Sequence, residues 1–291
     1  MSKHKKISIV EFTRRYSTEE ACREHLAEQR WPDGFMCPCC GNAHAHQLSN
    51  GRYQCSKCRR QTSVTAGTFM HRSHVSLRKW FLAFYFVTQD KRGVSATQLS
   101  FLIGVTYKTA WFMLFRIRKA MGQRDEQYLL EGIVEFDDTY FGGPTVGKKR
   151  GRGTEKAKAF VALSLDQNSN PKFLKMGVTD NIKRPSVQKF AKNAIQSDST
   201  VITDGYQSYV SALKKYNHQP KPYDPDSGEL MWLHTIIGNA KAFILGTYHG
   251  LPKQNLSDYL NEFCYRFNRR NFMTDLYDHL AAAMLASPLA D

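Results

Sequence analysis

Hydrophobic and polar positions alternate along residues 133–143, IVEFDDTYFGG, with the period of two that is typical of a β-strand. Successive side chains of a strand point to opposite faces, so Asp137 and Asp138 are predicted to lie on different faces. Asp138 then shares its face with apolar side chains, whereas Asp137 lies among polar neighbours. The pattern therefore selects Asp137 as the carboxylate of a polar cleft.

Further strand and helix patterns follow this strand. Residues 158–167 and 172–180 are predicted strands, 183–196 is a predicted helix with a proline in its first turn, and a last strand ends at Asp204. This β-β-β-α-β order predicts an α/β domain. If the two acidic strands are neighbours, Asp137 and Asp204 can share one Mg²⁺ ion or two, because magnesium prefers oxygen ligands. The alternative is that Asp204 only caps a turn, since Asp-Gly is common there.

Residues 75–121 show the 3.6-residue period of helices. Ser95 and Thr106 are predicted to cap two short helices that are separated by a sharp turn at Gly104. The first helix is predicted to hold an apolar stripe of Ala96, Leu99 and Leu102, and the second to bury Ala110, Trp111, Leu114 and Ile117. The side chains left for solvent or a partner are Tyr107, Lys108, Arg116 and Lys119. This arrangement predicts a helix-turn-helix DNA-binding segment, and the alternative is an ordinary helical hairpin with a solvated charged face.

A cluster of cysteines precedes the helical segment. Its pattern is C-x2-C-x14-C-x2-C, formed by Cys37, Cys40, Cys55 and Cys58. Each C-x2-C turn aims two thiolates at one point, and two such turns make the tetrahedral sulfur shell of a structural Zn²⁺ site. We therefore predict a zinc ribbon. The alternatives are that Cys39 replaces Cys40, that His44 or His46 is a ligand, or that the cysteines are reduced without metal.

The charge of the chain is +15, and it is unevenly distributed. Residues 1–125 carry 21 Lys and Arg against 8 Asp and Glu, a net charge of +13, whereas residues 126–291 are nearly neutral. A basic front half predicts binding to a polyanion, most simply DNA, and Arg59 and Arg60 border the ribbon where they can contact its backbone. The sequence has no run of apolar residues long enough for a membrane span and no secretory signal, which predicts a cytoplasmic protein.

Five motifs agree with one known family in order and spacing. They are CPCCG with YQCSKCRRQTSVTAGTFM, VEFDDTYFGG, VITDGYQSY, HTIIGNAKAFILGTYHG and YLNEFCYRFNRR. Together these motifs resemble the transposases of bacterial insertion sequences that carry an N-terminal zinc ribbon. The resemblance extends from about residue 20 to residue 275.

The resemblance implies a ribonuclease H-like catalytic domain, a mixed sheet flanked by helices, preceded by the zinc ribbon and the helix-turn-helix. The implied boundaries are 1–72 for the N-terminal segment, with the ribbon at about 30–65, then 73–125 for the helix-turn-helix and 126–291 for the catalytic domain. The implied cofactors are structural Zn²⁺ and catalytic Mg²⁺ or Mn²⁺.

The catalytic set implied by the resemblance is Asp137, Asp204, Asn239 and Lys241. We expect a helix to start at the glycine of GNAK, so that its first turn presents Asn239 to the metal and Lys241 to a phosphate. Glu262 is the runner-up for the third ligand, and its alternative role is an i,i+4 ion pair with Arg266.

The resemblance implies a transposase that binds the ends of its element, cleaves DNA at the 3′ ends and joins them to target DNA. Assembly on DNA implies a homo-oligomer, and the protein is then associated with the nucleoid. The basic loop from Gly142 to Lys158 is predicted to contact DNA or to be a solvated hairpin. The alternative functions are a weakly active or inactive DNA-binding regulator derived from a transposase, and a structure-selective nuclease.

Overall fold

The computed structural model describes residues 7–143, 154–221, 228–248 and 251–288, so most of the basic loop from Gly142 to Lys158 lies outside the described residues. The helices are α1 (Ile9–Arg15), α2 (Glu19–Arg30), α3 (Leu77–Gln89), α4 (Ala96–Ile103), α5 (Tyr107–Asp125), α6 (Arg184–Ala194), α7 (Gln207–Ala212), α8 (Met231–Tyr248), α9 (Leu256–Asn268) and α10 (Leu276–Leu285). The strands are β1 (Ala45–Gln47), β2 (Tyr53–Cys55), β3 (Gln61–Thr62), β4 (Ile133–Phe141), β5 (Ala157–Leu165), β6 (Pro171–Thr179), β7 (Thr200–Thr203) and β8 (Asn217–Pro220).

The chain divides into two compact units. The first combines Met1–Gln123 with Asn271–Asp291, and the second is Arg124–Arg270. This differs from the predicted boundaries, which assigned everything after residue 125 to the catalytic domain. The apolar stripe of the C-terminal helix explains the difference, because it is buried within the first unit.

Helix α10 is a core element of the first unit. It packs against α3 and α2, and the ring of Tyr277 meets Phe12 edge-on at 5.1 Å between centroids. Arg15 donates a hydrogen bond to the Tyr277 hydroxyl at 2.8 Å, and His25 lies 2.9 Å from a carboxylate oxygen of Asp278. The first unit is therefore completed by residues from both ends of the chain.

The predicted helix-turn-helix is present as α4 and α5. Gly104 ends α4 in the left-handed conformation, with φ of 62°. The side chain of Ser95 accepts the N–H of Gln98 at 3.1 Å, and that of Thr106 accepts the N–H of Thr109 at 3.2 Å. Both predicted caps are thereby confirmed.

The buried stripe of this motif differs at two positions from the prediction. Trp111 is 37% exposed and Leu102 is 39% exposed. In the first half of α5, from Tyr107 to Ile117, the buried positions are Ala110, Met113, Leu114 and Ile117. Each residue turns the helix by about 100°, so a side chain next to the stripe reaches its border and not its centre.

The second unit is built on a five-stranded sheet with the order β6-β5-β4-β7-β8. Strands β4, β5 and β6 are antiparallel, whereas β7 pairs in parallel with β4 and β8 pairs in parallel with β7. The β-β-β-α-β order predicted from the sequence is confirmed. Three antiparallel strands followed by parallel strands on the side of the first strand form the mixed sheet of the ribonuclease H-like fold.

Helices cover both faces of this sheet. One apolar cluster joins β4, β5 and β6 to α8 and α9, with Leu163, Leu233 and Leu260 fully buried. The other joins β4 and β5 to α6 and α7, with Phe136 and Val187 fully buried. Because each face carries its own core, successive residues of β4 point into different surroundings.

We predict that Leu280→Ala in α10 destabilises the first unit by about 3 kcal/mol, because it opens a cavity at a fully buried position. Urea unfolding followed by tryptophan fluorescence measures this, since Trp80 is buried in the same unit. Phe272→Ala, at a site that is 57% exposed, is the control and leaves the midpoint nearly unchanged. Equal midpoints for both variants would show that α10 is not part of this core.

Candidate active site and zinc ribbon

Asp137 points from the centre of the sheet toward α8 and α9. It lies opposite Val161 of β5, which belongs to the apolar cluster beneath these two helices. Asp138 lies opposite Phe160, which belongs to the cluster beneath α6 and α7. Because directly opposed residues project from the same face, the predicted separation of the two acids is confirmed. Asp137 is half-buried and Asp138 is 9% exposed.

Asp204 follows directly after β7, the parallel neighbour of β4. Residues 133–135 pair with residues 200–202, so the last part of β7 lies alongside the first half of β4, close in sequence to Asp137. Ile202 packs into the cluster beneath α8 and α9, and alternation directs Asp204 toward that same face. One oxygen of Asp204 also accepts the N–H of Tyr206 at 3.0 Å. Asp204 thus caps a turn, as in the alternative interpretation, and its sharing of a cation with Asp137 stays a prediction.

Helix α8 is attached to β4 through a carboxylate. Glu135 lies two residues before Asp137, and it accepts the N–H of Leu233 at 3.2 Å in the first turn of α8. Burial raises the pKa of Glu135, whereas the Leu233 hydrogen bond and the charge of Lys221 lower it. First-turn N–H groups lack helical partners and attract negative charge. This contact therefore fixes α8 over the strand that carries Asp137.

Lys241 of α8 interacts electrostatically with Asp137. Burial lowers the pKa of the Lys241 ammonium, the charge of Lys156 lowers it further, and the charge of Asp137 raises it. The side chain is half-buried. Asp137 thus has a nearby cation that can attract a phosphate.

Asn239 lies on a different flank of α8. The helix begins at Met231, after Leu230 in the left-handed conformation with φ of 55°, and not at Gly238 as the sequence analysis expected. Asn239 is therefore in the middle of the helix, and its side chain is exposed. Residues two apart are separated by about 160° around a helix axis, so Asn239 and Lys241 project in nearly opposite directions. The role of Asn239 as a metal ligand stays a prediction.

Glu262, the runner-up for the third ligand, is fully buried on α9 and pairs with Arg266 at 3.3 Å. This is the i,i+4 ion pair that was given as its alternative role. Within the described part of the chain, the four ribbon cysteines are the one group of three or more Asp, Glu, His or Cys residues with ligand atoms close enough to share an ion. Asp137, Asp204 and Glu262 form no such group there.

His234 is a further candidate residue that the sequence did not indicate. It precedes Lys241 by seven residues on α8, so the two side chains are only about 20° apart around the helix axis. The side chain of His234 is exposed. The sequence pattern that could have indicated it is a histidine seven residues before a lysine. This pattern can be interpreted only when the helix is known to begin at Met231.

The zinc ribbon is a three-stranded sheet that follows the first cysteine turn and contains the second. The carbonyl of Cys37 accepts the N–H of Gly41 at 2.9 Å, and the carbonyl of Cys55 accepts the N–H of Arg59 at 3.0 Å. Gly41 and Arg59 both have positive φ, 69° and 61°, which closes the two turns in the same manner. The two cysteine pairs consequently face one another.

The four sulfur atoms fit a tetrahedral Zn²⁺ ion. They lie within 4.8 Å of one another, and the Sγ atoms of Cys37 and Cys58 are 3.6 Å apart, as are those of Cys40 and Cys55. Zinc–sulfur bonds near 2.3 Å imply sulfur separations of about 3.8 Å. A hydrogen bond from the backbone of Cys58 lowers the pKa of Cys55 to about 6, whereas burial and hydrogen bonds within the sulfur cluster raise the pKa of Cys58. Zinc requires all four sulfurs as thiolates, so its binding would release protons.

The alternative zinc ligands lie outside this cluster. Cys39 is exposed, and neither it nor His44 or His46 belongs to the group of four sulfur ligands. Cys40, and not Cys39, is therefore the cysteine of the first turn that joins the cluster with Cys37, Cys55 and Cys58.

The chain joins a ribonuclease H-like domain to a four-cysteine ribbon, and both parts match models of transposase domains. Residues 129–268 match the model of the ISXO2-like transposase domain, and residues 17–61 match the model of the transposase zinc-ribbon domain. The chain belongs to the transposases that combine these two domains. That the element is bacterial stays a prediction.

The chain is also similar to individual proteins. It is 29% identical to a protein described as uncharacterized in transposable element ISH50 of Halobacterium salinarum, over 67% of this chain and 70% of that protein. Among solved structures, a pre-cleavage Mos1 transpososome shares 14% identity over 68% of this chain and 75% of that one, with a TM-score of 0.24. The Mos1 strand transfer complex shares 12% identity over 68% and 74%, also with a TM-score of 0.24. At these TM-scores the likeness is slight, and the fold is defined by the sheet order and the domain matches.

We predict one Zn²⁺ ion per chain, held by the four ribbon cysteines. Cys55→Ser removes a buried ligand, and we expect it to abolish stoichiometric zinc and unfold the ribbon, because a ribbon of this size depends on metal for folding energy. Elemental analysis of the purified protein measures the zinc content. The matched control is Cys39→Ser, which retains full zinc, and loss of zinc from this variant instead would exchange the roles of Cys39 and Cys40.

Proposed function

We propose that this transposase binds the ends of its element, cleaves DNA at their 3′ ends and joins the freed ends to target DNA. The observation that supports the proposal is the parallel pairing of β4, which carries Asp137, with β7, which leads into Asp204. We infer from it that the two acids lie at one level and on one face of the sheet. The match to an ISXO2-like transposase domain supports the same reaction class.

The residues of this face suit a divalent cation. Carboxylate oxygens are the ligands that Mg²⁺ and Mn²⁺ prefer, and Asp137 and Asp204 each offer one carboxylate. When bound there, the metal activates the attacking hydroxyl group and stabilises the leaving oxygen. Asp137 and Asp204 hold the ion, and Lys241 neutralises charge on a phosphate oxygen.

Cleavage and joining are the same in-line displacement with different nucleophiles. In cleavage, a water oxygen bonds to phosphorus and the bond from phosphorus to the 3′ oxygen breaks, which leaves a 3′ hydroxyl and a 5′ phosphate. In joining, that 3′ hydroxyl bonds to a phosphorus of the target, and the 3′ oxygen of the target leaves and takes a proton. Both steps use the one active-site face.

The first unit is proposed to hold the DNA. The contact residues predicted on α5 are Tyr107, Lys108 and Lys119, which are exposed, and Arg116, which is half-buried. Arg116 donates to the carbonyl of His71 at 2.9 Å and lies over the ring of Phe112 at 4.4 Å, so its guanidinium is partly engaged by the protein. Arg59 and Arg60 are exposed beside the ribbon. An element has two ends, and a homo-oligomer would bind both.

The third metal ligand is proposed to come from α8 rather than α9. Glu262 is fully buried and paired with Arg266, whereas α8 is fixed over Asp137 through Glu135. The resemblance implies Asn239, and the helix phase favours His234 on the flank of Lys241. An imidazole ligand would suit Mn²⁺ better than Mg²⁺, because nitrogen is a softer donor than oxygen.

A DNA-binding regulator is the second candidate function. It is favoured by one observation, that in the described part of the chain Asp137 and Asp204 have no third carboxylate grouped with them. A regulator would bind element ends through the first unit and leave them uncut. Cleavage by the unaltered protein therefore separates the two functions.

We predict that Asp137→Asn and Asp204→Asn each lower metal-dependent cleavage of end-bearing DNA by more than about 100-fold and leave DNA binding intact. Each variant keeps the side-chain shape and removes a negatively charged ligand. Denaturing gels measure cleavage and mobility shifts measure binding. The control is Asp198→Asn, an exposed acid of the same unit. Full activity of Asp137→Asn would remove this residue from the site.

We further predict that His234→Ala lowers cleavage by about 100-fold, that Asn239→Ala changes it by less than about threefold, and that Glu262→Gln does not change its metal preference. Cleavage rates in Mg²⁺ and in Mn²⁺ measure all three variants. If Asn239→Ala loses cleavage activity and His234→Ala keeps it, the third ligand would be Asn239, as the resemblance implies. Loss of activity in a folded Glu262→Gln, with both α8 variants active, would transfer the third ligand to α9.

A further inference from the structure

Tyr209 and Asp138 form a buried hydrogen bond beneath the active-site face. The ring of Tyr209 lies on α7 and is fully buried, and its hydroxyl donates to Oδ1 of Asp138. The ring meets Phe136 edge-on, with centroids 5.1 Å apart. Asp138 is on the face opposite Asp137, so this acid is not directed toward the cation that we place at Asp137 and Asp204.

On the strand side, a second hydrogen bond links Asp138 to Asp137. The backbone N–H of Asp138 donates to Oδ1 of Asp137 at 2.7 Å. The side chain of Asp138 is held by Tyr209, and its main chain holds a carboxylate oxygen of its neighbour. The rotamer of Asp137 therefore depends on a residue whose own position is fixed from below the sheet.

Two further hydrogen bonds link Tyr209 to Asp204 on the helix side. The N–H of Tyr209 donates to the carbonyl of Tyr206 at 2.8 Å, and the N–H of Tyr206 donates to Oδ1 of Asp204 at 3.0 Å. Asp204 is beyond the last paired residue of β7, Thr203, so the ladder hydrogen bonds of the sheet end before it. The contact of Tyr209 with Asp138 connects the loop that carries Asp204 to β4.

We propose that Tyr209 and Asp138 are positioning residues that set the separation of Asp137 and Asp204, an inference that rests on the proposed metal site. Two carboxylates repel one another until a cation is bound, and a loop end is free to yield to that repulsion. A buried hydrogen bond to a carboxylate is among the stronger ones in proteins. The hydrogen bond between Tyr209 and Asp138 keeps the two ligands at the spacing that the metal requires. This role explains why a second acid, Asp138, follows Asp137.

The test measures Mn²⁺ binding to the full chain by electron paramagnetic resonance, with Asp137→Asn to identify binding at this site. Tyr209→Phe removes only the hydroxyl, and we expect Mn²⁺ affinity to fall about 10-fold, the size of effect typical for a hydrogen bond to a charged group. Tyr216→Phe is the matched control. Tyr216 packs against the same cluster and makes no hydrogen bond to a carboxylate among the described residues, so its affinity stays at the wild-type value.

Asp138→Asn distinguishes positioning from metal ligation. An amide oxygen can still accept the Tyr209 hydrogen bond, so we expect affinity within about threefold of wild type. A loss as large as that of Asp137→Asn would make Asp138 a ligand and overturn the proposal. Equal affinities for Tyr209→Phe and wild type would also overturn it. If wild type and Asp137→Asn bind Mn²⁺ alike, the proposed metal site fails, and this inference fails with it.

Discussion

The parallel pairing of β4 with β7 is the constraint on which the active site depends. It joins the antiparallel part of the sheet to the parallel part, and its register sets Ile202 of β7 opposite Glu135, two residues before Asp137. Because β4 is buried between two helical layers, one of its acids faces α8 and the next faces α7. Glu135 holds α8 on one side, and Asp138 holds α7 on the other. The two helical layers are thus attached to the strand by its polar residues, in addition to its apolar ones.

The zinc ribbon of the first unit has only a small apolar core. Three strands of two or three residues cannot bury enough apolar surface to fold alone, so the four thiolates and their ion are expected to supply the missing energy. The helical part instead gains its core from α10, which returns from the far end of the chain. A fragment that ends before residue 271 would lack this helix, so the first unit is best studied within the intact protein.

Local patterns predicted much of this structure. The alternation along β4, the caps at Ser95 and Thr106, and the cysteine spacing all depend on near neighbours, and each is found as predicted. The start of α8 was not predictable in this way, because it is set by left-handed Leu230 and by the contact of Leu233 with Glu135, about a hundred positions earlier. The phase of Asn239, the place of His234 and the contact of Tyr209 with Asp138 all follow from such distant pairings. The sequence did not predict that α10 belongs to the first unit for the same reason, since an apolar stripe does not indicate which helices it packs against.

The central claim is that Asp137 and Asp204 jointly bind a divalent cation. Anomalous diffraction from crystals soaked in Mn²⁺ tests it most directly, because the ion is located without reference to activity. We predict a peak at coordination distance, about 2.1 Å, from carboxylate oxygens of both residues. A peak bound to only one of them, or to Asp138 or Glu262 in place of either, would contradict the account.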